Sequence, residues 1–111
     1  MLNREEIILL FLDDPKKVAD EIQHGNVPKS DEIRTLICDL GDPGCVCLYA
    51  DCVDKSPRSD TREAVCKDPE YAYVYAAYVD KSPRSDTRRE ACKDSYWKER
   101  YEEWENSLKK K

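Results

Sequence analysis

Apolar and polar residues follow one another along this chain with the spacing of helices. Tyr71, Val74, Tyr75, Tyr78 and Val79 fall at i, i+3, i+4, i+7 and i+8, which is one helical face. Asp68 is placed to cap the first turn of that helix. Pro69 suits its first position, where the N–H it lacks would be unpaired anyway. Upstream, Cys45, Leu48, Tyr49, Cys52 and Val53 present the same face. Both helices are expected to end near the next Lys-Ser-Pro, because proline disfavours helix in the residue before it. A shorter helix then starts at Ser59 or Asp60, and again at Ser85 or Asp86. Asp60 and Glu63 have the spacing of a capping box, and Val65 with Cys66, or Ala91 with Cys92, forms the buried side.

The ends of the chain carry variants of this pattern. In the last helix the core face narrows to Trp97, Tyr101, Trp104 and Leu108, and the positions of Val74 and Val79 become Arg100 and Glu105. A terminal repeat needs such a polar outer face. At the other end, Asn3 with Glu6 caps a helix carrying Ile7, Ile8, Leu10 and Phe11. Asp14-Pro15 opens a second, with Val18 and Ile22 inward and Gly25 as its stop. A third, from about Ser30 to Leu40, has Ile33, Leu36, Ile37 and Leu40 at helical spacing. About eight helices in four pairs are expected.

The pattern repeats with identity in places. VDKSPRSDTR occurs at 53–62 and again at 79–88, with looser matches on either side. An ordered period of this size signals units that bury their apolar faces on their neighbours. The expected fold is all-α, a short right-handed α-solenoid-like, HEAT-like stack of helix pairs. Residues 1–111 read as a single domain: divergent N-terminal helices at 1–41, repeats at 42–67 and 68–93, and a capping helix at 94–111. The unit DPEYAYVYAAYVDKSPRSDTRREACK resembles short α-helical tandem repeats of uncharacterised bacteriophage and giant-virus proteins, over residues 42–101. That resemblance implies a phage or viral origin and a helical stack, and it brings no catalytic residues. Small phage proteins of this kind are often inhibitors of host proteins, anti-CRISPR proteins among them.

Composition narrows the function. The 111 residues fit one small domain, and 39% are charged, with 24 acidic against 19 basic side chains and a net charge of −5. That balance argues against a general nucleic-acid binder, whose affinity comes mainly from phosphate neutralisation. Only 3 glycines are present, too few to suggest a glycine-cradled phosphate site. The apolar run Ile7 to Leu12 follows acidic residues and is far shorter than the roughly 20 residues a membrane span needs. The expectation is a soluble protein of the cytoplasm (the host cytoplasm, if phage-encoded), with reduced thiols and no membrane partner.

Six cysteines invite a metal site, and Cys38, Cys45, Cys47 and Cys52 could be drawn as one. Cys45, Cys47 and Cys52, however, occupy the positions of Tyr71, Tyr73 and Tyr78 in the next repeat, as space-filling thiols do. No CxxC pair exists, and His24, the lone histidine, reads as a solvated residue at a helix end. No metal and no cofactor are therefore expected. Cys66 and Cys92 are equivalent positions in stacked helices, separated by about 8–10 Å and so too far apart to bridge. A bridge from Cys38 to Cys45 or Cys52 stays open. Cys47 is expected to be the thiol facing solvent, because its counterpart Tyr73 lies off the predicted core face. Nothing in the serine, histidine or carboxylate spacing suggests catalysis, so the chain reads as non-enzymatic.

The repeated loop is the sharpest candidate site. It brings Lys55, Arg58 and Arg62, and again Lys81, Arg84 and Arg88, to one edge, in rungs about 10 Å apart. A carboxylate-rich protein surface or a phosphate backbone could lie on such a ladder, and arginine binds both bidentately. Against this, Asp54, Asp60, Asp80 and Asp86 are near enough to neutralise it. Tyr73 is the candidate exposed aromatic anchor, with Tyr96 or Trp97 at the free end, while Tyr49, Tyr75 and Tyr78 are expected in the core. The expected function is a protein–protein interaction module, an inhibitor of a host protein or protein complex, which could be a nucleoprotein. The alternative is a nucleic-acid or nucleoprotein binder using the basic loops. Self-association through the terminal helices is left open.

Overall fold

A computed structural model describes residues 1–109, which fold into eight helices with no strand among them. They are α1 (Arg4–Asp13), α2 (Pro15–Gln23), α3 (Asp31–Leu40), α4 (Pro43–Tyr49), α5 (Ser59–Val65), α6 (Pro69–Tyr75), α7 (Ser85–Ala91) and α8 (Ser95–Lys109). Consecutive helices pack as four pairs. The even-numbered helices touch in order, α2 on α4, α4 on α6 and α6 on α8, forming one row; α1, α3 and α5 adjoin one another in a second. The stack measures 44 × 25 × 20 Å. Among the described residues no helix is long and apolar enough to cross a membrane.

Most helix starts are those the sequence announces. Asn3 and Glu6 form a reciprocal capping box, with bonds of 2.8 and 3.0 Å. Asp14, Ser30, Asp42 and Asp68 each accept backbone N–H groups of the following turn. The capping box expected at Asp60 and Glu63 does not form. Arg58 is the N-cap of α5 and makes no side-chain cap bond. Asp60 instead takes the N–H of Thr61 at 2.7 Å and the Nε of Arg34 at 3.0 Å.

A buried tyrosine replaces that cap. Tyr75 is fully buried. Its hydroxyl accepts the Arg58 N–H at 2.9 Å, lies 3.0 Å from the Arg58 carbonyl and 2.7 Å from Thr61 Oγ1. Tyr101 holds Arg84 and Thr87 in the same way, at 3.0, 3.3 and 2.9 Å. Tyr49 does so for Ser30, accepting its N–H at 3.2 Å and donating to the Pro28 carbonyl at 2.8 Å. Thus α4, α6 and α8 each clasp the loop that opens the odd helix paired with them. The clasp also makes α3–α4 a structural equivalent of α5–α6 and α7–α8, although α3 shares little sequence with its counterparts.

Both long repeat helices widen into a π turn before they end, α4 at Ala50–Asp54 and α6 at Ala76–Asp80. A π turn adds a residue to the turn and so rotates the residues beyond it by about 100°. The buried face of α6 also differs from the predicted one. The buried residues of α6 and its π turn are Ala72, Tyr75, Ala76 and Val79, whereas Tyr78, expected in the core, is 61% exposed. Asp54 and Asp80 are carried inward, with side chains 0% and 2% exposed, onto Arg34 and Arg62.

Two further expectations change for packing reasons. Tyr73, expected to be exposed, is half-buried: its ring lies 5.8 Å from Trp97 and 6.3 Å from both Tyr101 and Trp104, packed against the second core cluster. The bulky aromatics of α8 cover part of it. Cys47, expected at the surface, is 5% exposed in the main core. Tyr49 and Tyr75 are buried as expected, as is Tyr101 on the predicted face of α8.

Candidate functional site: a basic edge and the groove it borders

The structure divides the six cations of the repeated loops. Arg62 binds Asp80 bidentately, Nε to Oδ2 at 3.0 Å and Nη2 to Oδ1 at 2.7 Å. The hydrogen bond to Asp80 is the main cause raising the guanidinium pKa. Arg88 binds Glu105 at 3.0 Å and lies 3.7 Å from Glu102. Arg34 stands at the matching place in α3, with Asp31 at 2.6 Å, Asp60 at 3.0 Å and Asp54 at 3.3 Å. Arg34 and Arg62, largely buried, tie α3 and α5 to their neighbours, and Arg88, 45% exposed, pairs α7 with α8.

Lys55, Arg58, Lys81 and Arg84 are different. All are exposed. Among the described residues none of them has a carboxylate within ion-pair distance. Three of the four aspartates expected to neutralise the loops are engaged elsewhere: Asp54 and Asp60 with Arg34, and Asp80 with Arg62. Asp86 accepts the N–H of Thr87 at 2.8 Å. The edge is therefore a row of two lysines and two arginines without ion-pair partners among the described residues, in a chain of net charge −5.

Backbone geometry singles out the lysines. Lys55 and Lys81 have φ of 54° and 56°, the only non-glycine residues at positive φ among those described. The left-handed region costs an L-residue about 1–2 kcal/mol, and helices that end this way usually do so with glycine. This chain keeps that habit elsewhere, at Gly25 (φ 79°) after α2 and Gly41 (φ 80°) after α3. Lysine stands in the strained position only where the loop borders a groove. That groove, of about 340 Å³, is lined by Lys55, Ser56 and Pro57 of one loop, Lys81 of the other, and Asp51 and Tyr78 of the π turns. Strain held at such a place is a recurrent mark of function, and single π turns recur at functional sites too.

The thiols form no comparable site. All six are free, and among the described residues no cluster of histidine, cysteine or carboxylate could hold a metal ion. Burial pushes the thiols of Cys45 and Cys47 up to about 12, and those of Cys38 and Cys66 to about 11. These are poor nucleophiles at neutral pH. The shifts set a pH dependence. With a folded pKa above the ordinary 9.0, each thiol favours the unfolded, ionised chain once pH passes 9.0. Stability should thus be level below that point and fall towards pH 12, by about 1 kcal/mol per buried thiol near pH 10. The buried Tyr49, Tyr75 and Tyr101 hydroxyls, also raised by burial, act in the same sense above 10.0. Denaturant melts from neutral to alkaline pH check this; a stability that rises above pH 9.0 contradicts it.

His24 is exposed at the C-cap of α2, where the sequence places it. The sequence did not single out Tyr78 or Asp51 as groove residues, because the π turns that aim them carry no local signature. Compared with family models, with curated proteins and with solved structures, the chain matches none of them.

Proposed function

We propose that this chain is a non-enzymatic protein-binding module, a small inhibitor of a host protein of the anti-CRISPR or other anti-defence type, working in the host cytoplasm. It docks through Lys55, Arg58, Lys81 and Arg84 on an acidic surface of its partner. One observation carries the reading: lysine occupies a left-handed backbone position twice, on the two lips of one groove, where glycine would be the easier residue. The lack of ion-pair partners for these cations supports it. Cations held in place and left unpaired bind a complementary surface with little reorganisation. Tyr78 adds an exposed aromatic between them, the kind of side chain that anchors interfaces.

The test is affinity purification from host lysate with the wild-type chain and with Lys55→Glu/Arg58→Glu/Lys81→Glu/Arg84→Glu in parallel. A protein partner enriched by the wild type and lost by the variant is expected, the variant keeping its helical content because these side chains hold nothing together. Nucleic acid recovered in place of protein, with affinity falling steeply with salt, would move the reading to the nucleic-acid-binding alternative. A partner equally retained by the variant would remove the basic edge from the binding surface.

A further inference from the structure

The basic groove is not isolated. A second cleft, of about 400 Å³ and mostly apolar, lies further up the same helices, lined by Cys47 and Leu48 of α4, Tyr71 and Val74 of α6, and Lys16 and Ala19 of α2. Leu48 borders this cleft and Asp51, one turn on, borders the basic groove; Val74 and Tyr78 stand in the same relation on α6. The two depressions lie one beyond the other along α4, α6 and the π turns that follow them, and together they make a furrow. From Leu48 to Lys55, and from Val74 to Lys81, is seven residues, part α-helix and part π turn, a span of roughly 10 Å.

We infer that this furrow receives an acidic peptide segment of the partner protein, with an apolar side chain in the cleft and a carboxylate about 10 Å further on, between Lys55 and Lys81. This rests on the protein-binding reading above and adds the chemistry of the partner. The apolar end offers a seat of side-chain size, and the far end offers two unpaired ammonium groups. Asp51 stands between them and repels a second acid there, so the segment is apolar, then neutral, then acidic. An extended segment spans this distance in about three residues, a helical one in about seven. Nucleic acid fits the furrow less well, since its uniform charge would meet Asp51 and an apolar cleft.

The experiment selects random short peptides displayed against the full chain, then measures binding of the enriched peptides as synthesised. The expected peptides carry an apolar residue and an Asp or Glu at one fixed spacing. On the unaltered protein, changing the peptide's apolar residue to alanine, or its acid to the amide, should each weaken binding about tenfold or more. Lys55→Glu/Lys81→Glu should abolish it. Binding that needs the acid and ignores the apolar residue overturns this inference and leaves the basic-edge reading standing. Peptides without an acid, or binding unchanged by Lys55→Glu/Lys81→Glu, overturn both. No enriched peptide, or a mixed-sequence oligonucleotide that displaces every peptide from the furrow, overturns the inference as well.

Discussion

Arg34→Leu should destabilise the chain by about 3–5 kcal/mol, because it leaves Asp54 buried and charged with nothing opposite. The Asp54 side chain is 0% exposed, and Oδ2 already has no hydrogen-bond partner among the described residues. Among those residues Arg34 Nη1, at 3.3 Å, is the only cation that meets it. A loss of that size is a large part of the roughly 5–15 kcal/mol that holds an ordinary domain together. Removing both partners should do far less harm, since an apolar pair of similar volume often matches a buried ion pair. Arg34→Leu/Asp54→Leu should therefore recover most of the loss. Asp31→Asn should change little, because Asp31 is 89% exposed. Denaturant titration of the wild type and the three variants checks the ranking; equal effects from Arg34→Leu and Asp31→Asn would contradict it.

The second large effect is expected at Tyr75. Its ring is fully buried and its hydroxyl satisfies the Arg58 N–H and Thr61 Oγ1. Tyr75→Phe keeps the ring and strands the Arg58 N–H, at a cost of about 1–3 kcal/mol. Tyr75→Ala also opens a cavity, bringing the loss to about 3–5 kcal/mol. Tyr78→Ala, three residues on, should stay within about 0.5 kcal/mol, as exposed positions do. The contrast tests the observed face of α6, since the face predicted from the sequence would bury both rings. Thermal or denaturant melts of the three variants decide it. A Tyr78→Ala loss comparable to Tyr75→Ala would contradict that face.

Much of this architecture is written locally. Asn3-x-x-Glu6, Asp14-Pro15, Asp42-Pro43 and Asp68-Pro69 open helices where their chemistry requires, and Gly25 and Gly41 close them. The stretches that escaped prediction depend on distant partners. Nothing in Ala-Asp-Cys-Val-Asp or Ala-Ala-Tyr-Val-Asp announces an i→i+5 turn. Those turns are seen only once Asp54 and Asp80 are found on arginines 20 and 18 residues upstream. The tyrosine clasp reaches back 17 to 19 residues. The kinship of Ser30 and Arg34 with Arg58 and Arg62 is hidden because a longer loop joins α2 to α3 and only the clasp chemistry is shared.

The candidate site was legible in outline. The repeated Lys-Ser-Pro-Arg marks the edge directly, and its cations do lie on exposed loops. Charge counting could not tell which arginines are structural, because pairing depends on which face of α5 and α7 each occupies. The left-handed lysines were invisible too: Lys-Ser-Pro reads as a helix stop through its proline, and the conformation of the residue two before it carries no mark.

The central claim is that lysine is kept at a costly backbone position for binding, and Lys55→Gly/Lys81→Gly tests it most directly. Measured beside the wild type, this variant should be more stable by about 1 kcal/mol or more, as glycine relieves the left-handed strain. Its affinity for the partner should nonetheless fall about tenfold or more with two interface cations gone. A variant that is more stable and binds as tightly as the wild type would contradict the claim, leaving the two lysines as helix ends and nothing more.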